Sequence, residues 1–181
     1  MNYLTNIRIR LGAFILKQKL KKKKRTPVIC NLKQAKNIGI VYDTSIANNR
    51  QSVTKLESYF KELEMNIEVL GYAHVKKEEN TLIGDNHHHY IYAQDFNWYY
   101  KPKNEMIEHF IQAPLDIIIN LYQEEEFAIE YIIKMSNAKF KVGCAHIEES
   151  LHDLMIDVSK HKGDTEYLIE NVKHYLNILN N

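Results

Sequence analysis

From Asn37 onward the chain alternates between short apolar runs and longer stretches whose apolar side chains recur every three or four positions. The short runs predict strands, and the wider spacing predicts amphipathic helices. The predicted strands cover residues 38–42, 67–73, 90–93, 115–121, 139–145 and 154–158. Helices are predicted after the first strand, over residues 104–112, from residues 124–126 and from residue 164 or 165. This alternation is typical of an α/β domain with a largely parallel sheet.

The run LDIIINL at residues 115–121 gives the strongest strand signal. A nearly continuous apolar run is typical of a strand that is covered on both faces, so this strand is predicted to be central. The polar stretch over residues 76–89 is predicted to be a loop. Because crossovers between parallel strands are right-handed and cover both faces of a sheet, the expected fold is a Rossmann-like or flavodoxin-like three-layer sandwich.

Residues 3–24 carry a different pattern, in which apolar and basic side chains are interleaved. The apolar positions with near-helical spacing are Leu4, Ile7, Leu11, Phe14, Ile15 and Leu20. They predict a basic amphipathic helix that ends near Lys21 to Arg25, because like charges repel there and Pro27 disfavours helix just before it. The predicted organisation is this helix over residues 1–25, a linker over residues 26–36, and one Rossmann-like α/β domain over residues 37–181.

The formal net charge of +1 hides a separation of charge along the chain. Residues 1–42 hold eleven Lys and Arg and no acidic residue, whereas residues 43–181 hold 13 basic and 23 acidic side chains. Nine of the cations lie within the first 25 residues: Arg8, Arg10, Lys17, Lys19, Lys21, Lys22, Lys23, Lys24 and Arg25. Such a segment attracts polyanions whatever the net charge of the chain. Three targets stay open: nucleic-acid phosphate, an anionic membrane surface, and a protein surface, including the acidic body of the same chain.

Composition excludes several classes of protein. Hydrophobic residues at 45% and charged residues at 26% are ordinary values for a globular protein. Cys30 and Cys144 are the only thiols, which supports neither a disulfide framework nor a cysteine-based zinc site. The amino-terminal segment lacks the order of charge and apolar residues found in a signal peptide, and no apolar run approaches the length of a membrane span. A cytoplasmic location is therefore expected.

No catalytic fingerprint follows the predicted strands. The turn after the first strand reads YDTSIA over residues 42–47 and lacks the glycines that bring a backbone close to a pyrophosphate. A P-loop and a Gly-x-Ser-x-Gly turn are absent as well. Asp43 and Asn120 nevertheless lie at carboxyl ends of predicted strands, where open α/β sheets bind ligands. A small-molecule enzyme that uses this strand-end pocket is therefore an alternative.

Other polar groups have both a structural and a functional interpretation. His87 and His89 can share one face of a strand, with His74 or His109 as a third metal ligand, but a solvated loop explains them without a metal. The carboxylates suited to acid–base chemistry are Glu124, Glu125, Glu126, Glu148 and Glu149. The first three also fit the positive end of a helix dipole. No metal site and no cofactor are expected.

An aromatic cluster runs into two lysines. Its rings are Tyr92, Phe96, Trp98, Tyr99 and Tyr100, and the lysines are Lys101 and Lys103. Rings beside cations can stack bases and hold phosphates, as proteins that bind single-stranded nucleic acid do. The structural alternative is that alternate rings pack in the core.

Three motifs carry a resemblance. Asn97-Trp98 with residues 101–104, AKFKVG at residues 138–143 and DLMIDV at residues 153–158 resemble an uncharacterised bacterial family, a domain of unknown function. The likeness runs from about residue 5 to about residue 178. It implies a small cytoplasmic α/β protein with a basic amino-terminal stretch, and it implies no activity.

Together these patterns predict a non-enzymatic accessory protein that docks on RNA, in particular on the ribosome. The nine cations of residues 8–25 would contact phosphates, and Lys101 and Lys103 would form a second, weaker patch. No catalytic residue is predicted. The alternatives are the enzyme with a strand-end pocket near Asp43 and Asn120, and a peripheral membrane adaptor whose apolar stripe enters the headgroup region. A protein partner also remains open.

Overall fold

The computed structural model describes residues 3–75, 82–145 and 150–179. The strands are β1 Asn37–Asp43, β2 Asn66–Ala73, β3 His88–Tyr92, β4 Ile117–Asn120, β5 Phe140–Cys144 and β6 Leu154–Ile156. The α-helices are α1 Tyr3–Lys22, α2 Asn49–Glu62, α3 Glu105–Gln112, α4 Phe127–Met135 and α5 Thr165–Ile178. Short 3-10 turns cover Ala93–Asp95 and Ser159–His161.

The six strands form one parallel sheet in the order β3-β2-β1-β4-β5-β6. This is the doubly wound order of a Rossmann fold, in which the direction of winding reverses between β1 and β4. The register places Ile38 beside Ile117 and Val41 beside Asn120. The predicted α/β sandwich with a parallel sheet and a preceding amino-terminal helix is therefore confirmed.

Each face of the sheet packs against its own layer of helices. On one face, Tyr42 of β1 packs with buried residues of α2 and α5. On the other face, Val41 packs with buried residues of α1, α3 and α4. Strand β4 is central, and Ile117, Ile118 and Ile119 are all fully buried, because side chains of alternate residues enter the two cores. The apolar run at residues 115–121 thus marks the central strand as predicted.

Strand β3 begins at His88, whereas the sequence predicts a strand that begins at Tyr90. His88 and His89 belong to the strand, so the loop prediction is wrong for them, and residues 76–81 of the predicted loop lie outside the described residues. The ring of His88 lies between two partners: its Nε2 is 2.9 Å from Tyr42 Oη, and its Nδ1 is 3.1 Å from Glu57 Oε1. These contacts stabilise His88 within the sheet, although the periodicity of the sequence alone predicts that it is exposed to solvent.

Helix α1 lies alongside α4 and runs in the same direction. Gly12 permits the approach, because a Cβ at this position would lie 2.7 Å from Cε1 of Phe127 and 2.8 Å from the carbonyl oxygen of Tyr99. Leu16 is 2% exposed and enters the core beneath the helix. Within the described part of the chain, no helix has the length and apolar character needed to cross a membrane.

Candidate functional site

Four of the nine amino-terminal cations face the body of the protein. Arg8 Nε donates to the carbonyl oxygen of Trp98 at 2.8 Å, and its guanidinium lies 4.8 Å from the ring centre of Tyr100. Lys19 Nζ donates to Tyr131 Oη at 2.7 Å. These contacts fix the two halves of α1 against the loop before α3 and against α4.

The other two inward cations lie just after α1. Lys23 Nζ donates to the carbonyl oxygen of Met135 at the carboxyl end of α4, which carries the negative end of the helix dipole. Arg25 Nε donates to the carbonyl oxygen of Ala138 at 2.8 Å, and the guanidinium also forms an ion pair with Asp153. These four cations therefore contact the same chain, and within the described residues Arg25 is the one among them that meets a carboxylate.

The remaining five cations are exposed: Arg10, Lys17, Lys21, Lys22 and Lys24. Among the described residues none of them forms a hydrogen bond or an ion pair. Four of them lie on α1, at positions that differ from those of Arg8 and Lys19 because the helix repeats every 3.6 residues and turns only one face to α4; Lys24 follows the helix. We call these five the outward cations.

Four apolar side chains lie on the outward face of α1, which also carries the four outward cations of this helix. Leu4, Ile7, Leu11 and Phe14 are 64%, 38%, 40% and 60% exposed. Their spacing of three, four and three residues places them in one line along the helix, which we call the outer stripe. The stripe lies on the side opposite the buried Leu16, so it takes no part in packing α1 on the body.

The loop over residues 97–103 lies beside the amino-terminal half of α1. The side chain of Asn97 holds the loop by accepting from the backbone N–H groups of Tyr99 and Lys101. Trp98 is 49% exposed, and the side chains of Lys101 and Lys103 are exposed as well. Two other rings of the predicted cluster, Tyr92 and Phe96, are buried, and Tyr99 and Tyr100 are partly exposed. The cluster thus divides between core packing and one open tryptophan.

At the carboxyl ends of β1 and β4, the structure places Asp43 and Asn120 near histidines that sequence reasoning did not assign to this edge. Asp43 Oδ2 lies 3.5 Å from Nε2 of His74, which follows β2. The other carboxylate oxygen of Asp43 accepts from the backbone N–H and the hydroxyl of Ser45 at 2.7 and 2.6 Å. Tyr122 Oη lies 3.4 Å from the same nitrogen of His74. Asp43 therefore orders the turn after β1 and also faces a titratable ring.

Asn120 is 1% exposed and forms hydrogen bonds with two neighbours. Its amide nitrogen donates to Nε2 of His152 at 3.0 Å, and its carbonyl oxygen accepts from the backbone N–H of Tyr122. Burial lowers the pKa of His152 to about 4, so this ring is neutral near pH 7. Burial also raises the pKa of Tyr122, and the nearby carboxylates of Asp43 and Glu126 raise it further. The sequence does not indicate that Asn120 and His152 are paired, because they are 32 residues apart and meet only in the folded chain.

A cavity of about 320 Å³ opens beside this network. Its walls include Ile9 of α1, Asn120, Tyr122 and the start of α4. Glu124, Glu125 and Glu126 line it as well, and Glu126 accepts from the backbone N–H of Ala128 as the cap of α4. This explains Glu126 as a helix cap, and the three carboxylates disfavour a phosphate at this helix start. Glu148 and Glu149 lie outside the described residues.

The histidine run does not form a shared metal site among the described residues. His88 is held by Tyr42 and Glu57, and burial lowers the pKa of His89. No group of three or more His, Cys, Asp or Glu side chains in the described ranges can hold a metal ion.

Comparison with known proteins adds a family and no activity. Neither a search of curated proteins nor a search of solved structures finds a match for the chain. A family match covers residues 9–179, nearly the whole chain, and confirms the expected membership of a family of unknown function. The chain belongs to the DUF6913 family.

Proposed function

We propose that the protein docks on an anionic membrane surface through the outward face of α1. The observation that carries this proposal is the outer stripe of exposed apolar side chains, which lies on the same helix as four of the five outward cations, with Lys24 just after the helix. A helix that lies in the membrane interface has this composition, with apolar residues at the acyl boundary and cations at anionic headgroups. Trp98, half-exposed on the neighbouring loop, is the residue type favoured at that depth.

The magnitudes fit reversible binding. The four side chains of the outer stripe are about half exposed on average, so their burial contributes about 3–6 kcal/mol. Each cation near an anionic surface contributes about 1 kcal/mol, or about 5 kcal/mol for the outward cations. Association costs about 4–15 kcal/mol in lost freedom of motion. The balance is small, which is typical of a peripheral protein that exchanges between membrane and solution.

Trp98 supplies the assay because it is the single tryptophan of the chain. We expect its emission to shift to shorter wavelength when vesicles of phosphatidylglycerol and phosphatidylcholine are added, and to stay unchanged with phosphatidylcholine alone. The double variant Ile7→Ser, Phe14→Ser removes apolar area from the stripe. Its affinity for the anionic vesicles should fall by about 2–3 kcal/mol, or roughly 30- to 150-fold.

Ile178→Ser is the matched control. Ile178 is also about half exposed, at 53%, but it ends α5 on the other face of the sheet. This variant should bind anionic vesicles like the unaltered protein. Equal affinity of the stripe variant and the control would overturn the proposal.

RNA docking, in particular on the ribosome, is a second candidate. The observation that favours it is the combination of Trp98 with exposed Lys101 and Lys103 beside α1, because an open ring between cations can stack a base. The outward cations would then contact phosphates. Affinity for RNA would fall with salt, with a slope set by the number of phosphates neutralised.

Charge and stripe variants separate the two candidates. Replacing Lys21 and Lys22 by Glu should weaken binding to vesicles and to RNA alike. The stripe variant should weaken only vesicle binding, because phosphate contacts need no apolar insertion. RNA docking predicts quenching of Trp98 emission by RNA and nuclease-sensitive co-sedimentation with ribosomes. Ribosome co-sedimentation that is unchanged by the Glu replacements at moderate salt would exclude it.

A further inference from the structure

The loop over residues 97–103, which we call the tryptophan loop, is held in shape by its own backbone. Phe96 and Pro102 pair in an antiparallel bridge at its base. Within the loop, the backbone N–H of Asn97 donates to the carbonyl oxygen of Lys101 at 2.9 Å. These contacts close the segment as a narrow hairpin, so its tip has a defined position on the surface of the folded protein.

Tyr100 gives this loop a strained backbone. Its φ of 64° lies in the left-handed region, which a bulky residue other than glycine rarely adopts. Such a conformation persists only where the surroundings determine it. Two contacts hold the ring of Tyr100: the guanidinium of Arg8 lies 4.8 Å from its centre, and the ring of Phe127 meets it edge-on at 5.1 Å. Arg8 on α1 therefore takes part in fixing the shape of the loop.

Arg8 also joins the loop to the outer stripe. Its Nε donates to the carbonyl oxygen of Trp98 at 2.8 Å. Along α1, Arg8 follows Leu4 by four residues and precedes Leu11 by three. Residues at these separations are neighbours on the surface of a helix, with Cβ atoms about 5–6 Å apart. Trp98 is thus held beside the stripe by a single intervening side chain.

The exposed side chains of the loop repeat the chemistry of the outward face of α1. Trp98 is 49% exposed, and Lys101 and Lys103 are exposed beyond it. Residues 96–104 contain no carboxylate, and among the described residues neither lysine forms an ion pair. Tryptophan is favoured at the boundary between acyl chains and headgroups, and lysines are attracted to anionic headgroups.

We infer that the tryptophan loop is a second contact with an anionic membrane, and that Arg8 is the positioning residue that joins it to the outer stripe in one surface. The inference rests on the proposed docking of α1 and adds to it a second element and a residue that orients it. Continuity with the stripe favours a membrane over a nucleic acid, because apolar side chains beside the ring gain nothing from phosphates. In this surface the ring of Trp98 lies at the acyl boundary, and Lys101 and Lys103 contact lipid phosphates.

The first test asks whether the loop contacts the membrane. Sedimentation with vesicles of phosphatidylglycerol and phosphatidylcholine measures affinity without using tryptophan emission. Trp98→Ala should lower this affinity by about tenfold or more, because about half of a large apolar ring is free to be buried. Tyr175→Ala is the matched control, since Tyr175 is 40% exposed on α5, at the other face of the sheet. Equal affinity of the two variants would overturn the inference.

The second test examines the positioning role of Arg8. Arg8→Lys keeps the charge but removes the Nε donor and the planar guanidinium. Its matched control is Arg10→Lys, because Arg10 is exposed on the same helix. Vesicles brominated near the headgroup end of the acyl chains should quench Trp98 emission strongly in the unaltered protein and in the control. Arg8→Lys should lose most of this quenching, with urea denaturation showing that it remains folded. Equal quenching in both variants would contradict the positioning role.

The replacement of Lys101 and Lys103 by Gln is the second variant if Arg8→Lys does not fold. It should lower vesicle affinity roughly 30-fold, and unchanged affinity would contradict the inference. Sedimentation of the unaltered protein with anionic vesicles, but without quenching by brominated lipid, overturns this inference and leaves the proposed function standing. Absence of sedimentation overturns both. Quenching of Trp98 by an RNA oligonucleotide, and not by brominated lipid, assigns the loop to nucleic acid and also overturns the inference.

Discussion

Lys24 and Arg25 are neighbours in the chain with opposite environments, and they test the division of the amino-terminal cations. Lys24 is exposed and has no partner among the described residues, whereas the side chain of Arg25 is 18% exposed. Arg25 donates to Ala138 at 2.8 Å, to Lys139 at 2.9 Å and to Asp153 at 3.0 Å. We expect Lys24→Gln to alter docking and Arg25→Gln to alter stability.

The magnitudes follow from these contacts. Arg25→Gln removes the ion pair with Asp153 and the donor to the carbonyl oxygen of Ala138, whereas the carbonyl oxygen of Lys139 keeps the N–H of Val28 as a donor. The free energy of unfolding should fall by about 2–4 kcal/mol. In a chain of 181 residues this corresponds to a decrease in Tm of about 5–15 °C. Lys24→Gln should change the free energy of unfolding by less than about 0.5 kcal/mol. Its affinity for anionic vesicles should fall about fivefold, the effect of about 1 kcal/mol.

Urea denaturation and vesicle titration at low ionic strength measure the two effects. At 20 °C both variants should remain folded, so vesicle affinity of Arg25→Gln should stay within about twofold of the unaltered protein. The reasoning is refuted if Lys24→Gln destabilises the fold as much as Arg25→Gln does. It is also refuted if Arg25→Gln loses vesicle affinity as strongly as Lys24→Gln while remaining equally stable.

Three further variants test the packing of the body. Gly12→Leu should lower the free energy of unfolding by about 1–3 kcal/mol, because the new side chain would collide with Phe127. Urea denaturation measures this, and an unchanged midpoint would contradict the close packing of α1. Lys141→Met should reduce the increase of stability with pH: burial lowers the pKa of Lys141 to about 7 in the folded protein, against about 10.5 in the unfolded chain, so Lys141 alone contributes a gain of about 2 kcal/mol from pH 7 to pH 9. The variant keeps a smaller gain from Lys23, whose pKa burial lowers to about 8, and a gain equal to that of the unaltered protein would refute the reasoning. Asn120→Ala should lower the free energy of unfolding by about 1–3 kcal/mol, because it leaves Nε2 of the buried His152 without its donor. Thermal unfolding measures this, and an unchanged stability would show that water replaces the amide.

The fold was predictable because its signals are local and repeated. The apolar run at residues 115–121 marks a strand with two covered faces, and alternation of strands and helices leaves few topologies for a parallel sheet. His88 shows where such reasoning fails. Its place in β3 depends on Tyr42 and Glu57, which lie far from it in the chain. The periodicity of apolar residues does not show contacts between residues that are far apart in the sequence.

The candidate site was predictable only in part. The density of cations in the first 25 residues pointed to α1, but composition does not tell which cations face α4. Arg8 and Arg10 are only two residues apart, yet the first binds the loop at Trp98 and the second is exposed. Lys141 gave no signal at all, because one lysine in the stretch KFKVG is an ordinary surface residue until the sheet buries it.

The inward cations give the outward face its fixed orientation. Contacts from Arg8 and Lys19 on α1, and from Arg25 just after it, hold the helix on the body, so the backbone that carries the outer stripe is already ordered in the folded chain. A free amphipathic segment must lose about 1–2 kcal/mol of backbone entropy for each residue that it orders on binding. In this chain α1 is already ordered by its contacts with the folded body, so docking does not require this loss of backbone entropy. For the proposed docking on a membrane, modest contributions from four apolar side chains and five cations would therefore suffice.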